Sequence, residues 1–175
     1  GHVRMLAYNK LNRLSLSLIC HRAQEVVADA PDVETELKKR QGDNDSFAQL
    51  KYIQMMAYMM LGQWNEANRI SQLMNRMPSQ DAATGRAHAL LAQAVLCMHT
   101  KQEAKPYFDR FITEAEDARR SSLFMYHELM ADYYFVCLYY AMQNKQYKQA
   151  SEITAKLADV VNNLTEESPI RGVYM

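Results

Sequence analysis

The sequence is poor in the two residues that most often interrupt regular structure, with five glycines and four prolines in 175 residues. The long intervals between them do not alternate apolar and polar residues as a half-buried strand does. An excess of either charge is missing too. Twenty basic side chains balance twenty acidic ones, and a nucleic-acid surface usually shows as a basic excess or stripe, so no nucleic-acid partner is expected. No apolar run reaches the roughly 18 residues that cross a bilayer; the longest, Leu129 to Met142, carries Asp132. The three cysteines, Cys20, Cys97 and Cys137, are odd in number and lie in apolar segments. They read as buried reduced thiols rather than a disulfide framework, which leans towards the cytoplasm without excluding an extracytoplasmic sensor domain. Gly1-His2-Val3-Arg4 has no apolar signal core. Without an initiator Met, Gly1-His2 reads as a cloning scar, and the chain reads as one domain over 1–175, a fragment of a larger protein.

The motifs that carry chemistry are equally scarce. Gly42, Gly62, Gly85 and Gly172 are isolated, so no run of amides can cradle a phosphate, and no Gly-x-Ser-x-Gly elbow is present. His127-Glu128-Leu129-Met130-Ala131-Asp132 opens like a zinc-protease helix, but that chemistry needs a second imidazole one turn on, where Ala131 stands. Cys20-His21 and Cys97-x-His99 lack a second ligand pair. No catalytic, cofactor or metal residue is therefore named, and an enzyme is not expected. The short basic groups Lys38-Lys39-Arg40, Arg119-Arg120 and Lys145/Lys148 lie near acids and expected helix ends, where cations complement the helix dipole.

What is present is helical spacing. Trp64, Ala67, Ile70, Met74 and Met77 advance by three or four residues; so do Tyr147, Ala150, Ile153, Leu157, Val160 and Leu164. Helices are expected at 3–11, 14–29, 46–61, 64–77, 80–99, 102–118, 121–143 and 147–164, with the polar stretch 29–45 holding a helical turn or two and a loop. Short connections force antiparallel neighbours.

The hairpin corners are similar to one another. Ala57-Tyr58-x-x-Leu61-Gly62-x-Trp64-x-Glu66-Ala67 is the clearest unit. Ala7-Tyr8-x-x-Leu11-Asn12-x-Leu14-x-x-Ser17 matches it weakly, Gln143-Asn144-Lys145-Gln146-Tyr147-x-x-Ala150 repeats its turn, and Glu103-Ala104 only its end. A small residue one turn into the second helix lets it approach the first, an aromatic fills the wedge at the turn, and Gly62 can take positive φ. With Pro78 after the second helix, this pattern resembles the tetratricopeptide repeat family. In the 80–118 unit, Lys101 replaces the aromatic, and Pro106 either bends its second helix or marks a later start.

That resemblance implies an all-α fold of about four stacked antiparallel helical hairpins, a right-handed α-solenoid, and a protein-binding concave face. Carried over by position, the face comprises Tyr52, Met56, Met59 and Met60, then Ala89, Gln93 and Leu96, then Phe135, Tyr139, Met142 and Gln143. Met and Tyr suit apolar partner groups, so a hydrophobic peptide, a partner helix, another domain of the parent protein or self-association is expected. The alternative is a sensory segment of a signal-transduction protein, a sensor histidine kinase or transcriptional regulator, that binds a small ligand.

Overall fold

The computed structural model describes residues 2–39, 44–76 and 83–163. Among them are eight helices and no strand: α1 (His2–Ile19), α2 (Ala23–Lys38), α3 (Asn44–Met60), α4 (Trp64–Arg76), α5 (Ala83–His99), α6 (Lys105–Ser121), α7 (Leu123–Gln143) and α8 (Tyr147–Asn162). The all-α expectation holds. The chain divides into two compact units, Gly1–Phe111 and Ile112–Met175, and the division falls inside α6. The expected proline Pro78, the loop glycine Gly42 and the tail 169–175 lie outside the described residues.

The first two expected helices are corrected. No break occurs near Asn12, because Ala7, Leu11, Leu14 and Leu18 form one continuous stripe, each no more than 4% exposed. The first corner therefore lies at Cys20-His21-Arg22, not at Leu11-Asn12, and the Ala7–Ser17 stretch taken as a hairpin corner is the interior of α1. Cys20, expected to be buried, is exposed at that corner; all three cysteines are free. Past Asp29, where a helical turn or two and then a loop is expected, α2 runs on without a break through Lys38, since Ala23, Val26, Ala30, Val33 and Leu37 line one buried face. Pro31 sits on the opposite, solvent side of that helix, where the carbonyl freed by its missing N–H can be solvated. In α6, Pro106 is the second residue, within the first turn, where no intrahelical N–H is needed.

Four corners share one backbone geometry. His21, Gly62, Lys101 and Lys145 all have positive φ, between 57° and 72°, and recur roughly every 40 residues, a spacing longer than the tetratricopeptide's. At each, the positive-φ residue donates its N–H to a carbonyl three back, and the next residue donates to one five back. The second of these bonds is Arg22 to Ser17, Gln63 to Tyr58, Gln102 to Cys97 and Gln146 to Ala141, each at 2.8 Å. This is the Schellman closure of a helix C-terminus. The three non-glycine residues are all basic side chains beside unsatisfied helix carbonyls, where positive charge is favoured.

Gly62 isolates the backbone cost, because a Cβ built there meets nothing within 4 Å. Gly62→Ala is expected to lower stability by about 1 kcal/mol through the left-handed φ alone. Gly62→Lys is expected to cost less, because the charge offsets part of the strain. Urea unfolding of both variants checks the order, and equal losses contradict the dipole argument.

Within the first unit α3 is the centre, packed against α1, α2, α4 and α5. Trp64, at the start of α4, stacks on His99 at the end of α5, so the aromatic expected to wedge its own corner also reaches the next one. In the second unit α7 packs along α8. Ala131, Leu157 and Val161 form one buried cluster, and Ala141, Ala150 and Ile153 another, with Tyr134 and Leu138 against both. Ser122 caps α7, its Oγ accepting from the N–H of Met125 at 3.3 Å.

Candidate functional site

The expected partner face is divided by burial. Tyr52, Met56 and Met59 are 2%, 1% and 3% exposed, and the Tyr52 ring lies 5.3 Å from that of the buried His88. Four neighbouring helices surround α3, so these three side chains are interior rather than surface. Gln93 is half-buried and donates through Nε2 to the Oγ of Ser71, which ties α5 to α4. Met60, Ala89 and Leu96 are half-buried in the first unit. In the second unit Phe135 and Tyr139 are half-buried, Gln143 is exposed, and Met142 is 51% exposed. Phe135, Tyr139 and Met142 advance by four and then three residues, so they share one stripe of α7.

The basic groups are mostly neutralised along their own helices. Lys38 pairs with Glu34, Lys39 with Glu36, Arg119 with Glu116 and Arg120 with Asp117. Among the described residues, no group of three or more His, Cys, Asp or Glu could hold a metal ion, and no helix is long and apolar enough to cross a membrane.

Two clefts remain. A small one of about 170 Å³ between α1 and α2 is lined by Lys10, Arg13, Asp29 and Asp32, and Arg13 and Asp29 already bridge it at 3.4 Å. The larger, about 450 Å³, runs along the seam of α7 and α8. His127, Met130 and Tyr134 line its α7 side, and Lys156, Asp159 and Val160 its α8 side. Tyr126 stands at one end, held by a hydrogen bond with Glu116 and by the Arg119 guanidinium 5.1 Å from its ring centroid.

The seam has a definite electrostatic character. Burial lowers the pKa of His127, with Arg119 adding to the effect and Asp159 opposing it, so the imidazole is neutral at pH 7. Its buried Nδ1 has no hydrogen-bond partner among the described residues. Burial also raises the pKa of Tyr134, with the neighbouring Cys137 and Asp159 adding to it, which keeps its hydroxyl protonated. Beside the cleft residues in sequence, half-buried Glu128 has its pKa raised to about 8 by desolvation and by Asp132 one turn on.

Sequence reasoning missed this seam. It treated His127 in isolation and gave Tyr134, Lys156 and Asp159 no role. A usable signal was the corner at Lys145. Tyr134 and Lys156 are equally distant from it in sequence, as are Met130 and Val160, and His127 and Asn163, so antiparallel packing sets each pair side by side. The molecule is thus an all-helical protein with a recurrent corner and a polar seam in its second unit. No family model, curated protein or solved structure matches the chain.

Proposed function

We propose that the chain is a degenerate tetratricopeptide-like helical-repeat module that binds another protein, rather than an enzyme. The observation that carries this reading is the recurrence of one Schellman corner at His21, Gly62, Lys101 and Lys145. Repeated helix pairs of this kind bury their apolar faces by stacking and present extended surfaces to partners. Further support comes from α3, which packs on the helices before and after it as a central repeat helix does. The unit length argues for divergence from the family pattern, since roughly 40 residues per corner exceeds its 34.

The binding surface in this reading is the Phe135–Tyr139–Met142 stripe with Gln143 at its end, and the occupant is an apolar protein segment, a peptide or a helix. Met and Tyr provide adaptable apolar area, and the Tyr hydroxyl fixes orientation. Met142→Glu is the informative variant, because a half-exposed side chain can change without emptying the core. A photo-crosslinker at Gln143 is expected to capture one defined protein species from source lysate, and Met142→Glu to reduce that capture by about tenfold or more at unchanged melting temperature. Equal capture by both forms contradicts the assignment. A second reading, a sensory segment for a small ligand, is favoured by the α7/α8 seam alone.

A further inference from the structure

The seam between α7 and α8 combines features that packing does not require. Lys156 and Asp159 stand one turn apart on α8 at the rim of the cleft, and among the described residues neither side chain makes an ion pair or a hydrogen bond. They are an unneutralised cation and anion facing one cavity. Met130, Tyr134 and Val160 line the same cleft and give it apolar surface with one hydroxyl. His127 lines one end of the cleft with its Nδ1 turned into the protein and without a hydrogen-bond partner among the described residues. Pockets of roughly 300–1,000 Å³ with an apolar lining and a few converging polar groups are the usual form of small-molecule sites.

We propose that this cleft binds a small zwitterion with an apolar body, of the α-amino-acid class. Its carboxylate sits on the Lys156 ammonium, its ammonium on the Asp159 carboxylate, and its side chain on Met130, Tyr134 and Val160. Ligands of single charge fit less well: an anion leaves Asp159 beside it unpaired, and a simple amine leaves Lys156 so. The site is separate from the protein-binding stripe proposed above. Phe135, Tyr139 and Met142 lie on a different face of α7 from His127, Met130 and Tyr134, so either assignment can fail alone.

The test is titration calorimetry on the full chain with L-phenylalanine and L-leucine, each compared with its amide and its N-acetyl derivative. Saturable binding of the free amino acids is expected, weakened about tenfold or more when either charge is blocked, since a charge-assisted hydrogen bond is lost. Lys156→Met is expected to weaken the free amino acid while leaving the amide as in wild type. Asp159→Asn is expected to do the same with the N-acetyl derivative. Both positions are exposed, so unchanged circular dichroism and melting temperature show that the fold survives. Met142→Glu should bind the amino acids as wild type does. Absence of saturable binding at millimolar concentrations overturns the proposal, and so does binding that both cleft variants leave unaltered.

Discussion

Glu34→Ala is expected to destabilise the protein by about 3 kcal/mol, while Lys51→Met changes stability by less than about 1 kcal/mol in either direction. The asymmetry follows from where the two charges sit. The Lys51 side chain on α3 is 6% exposed, and its Nζ donates to Glu34 Oε2 of α2 at 2.6 Å and to Gln54 Oε1 at 2.9 Å. That Nζ also lies 5.1 Å from the centroid of the Phe47 ring. Removing the carboxylate strands a buried ammonium with one neutral acceptor and an aromatic face, which recover only part of the lost stabilisation. Removing the ammonium leaves Glu34 with Lys38 at 2.7 Å and with 21% of its side chain in water, and Met fills the vacated space. Urea unfolding of both single variants and the double variant measures the coupling, and the double variant is expected to recover most of the loss. A Glu34→Ala cost as small as that of Lys51→Met contradicts the assignment of a buried pair.

The same carboxylate makes stability sensitive to acid. Desolvation alone raises the Glu34 pKa, but the hydrogen bonds and charges of Lys38 and Lys51 outweigh it and hold the value below 4.5. A group with a depressed folded pKa contributes stability that is present above its unfolded value. That contribution disappears as pH falls through the folded one.

Glu128 acts in the opposite direction and has the second large expected effect. Its pKa rises from 4.5 to about 8, first through desolvation and then through Asp132. Below pH 4.5 the carboxyl is protonated in both folded and unfolded chains, so it contributes nothing to the balance. Between 4.5 and 8 the unfolded chain ionises and the folded one does not, so stability falls with rising pH. Above 8 the loss is constant. At about 1.4 kcal/mol per unit, the loss is on the order of 3–5 kcal/mol. Glu128→Gln is expected to flatten the pH profile and to raise the melting temperature at pH 8 while leaving it nearly unchanged at pH 4.5. Glu34 and Glu128 therefore act oppositely: the first loses its contribution as pH falls, the second as pH rises towards 8. A wild-type profile that stays flat from pH 5 to 8 would falsify the Glu128 assignment.

Much of the secondary structure was legible because a helix writes its buried face every three or four residues. The Ile153, Leu157 and Val161 spacing gave α8 to within two residues at its end, and Gly62 marked the end of α3 because glycine readily adopts positive φ. The other three corners were harder to read. His21, Lys101 and Lys145 occupy the same backbone conformation without glycine, and only the donated bonds around them reveal it. Polar residues hid the α1–α2 corner, and Pro31 disguised α2, since a proline on the solvent side breaks the expected pattern without breaking the helix. For the candidate site, the sequence supplied the Met and Tyr surplus but not its distribution. Met56 on α3 and Met142 on α7 belong to similar apolar runs, yet one is 1% exposed and the other 51%.

The chain by itself determined that it folds as helices with few breaks, because local periodicity and the scarcity of glycine and proline are one-dimensional properties. Which of its apolar faces are spent on one another was decided only in three dimensions. Burial depends on how many neighbours a helix has: α3 is enclosed by four, while α8 lies along α7 so that Lys156 and Asp159 meet Tyr134 and His127 across a seam. Such meetings depend on register and crossing between helices, which periodicity within a single helix does not specify.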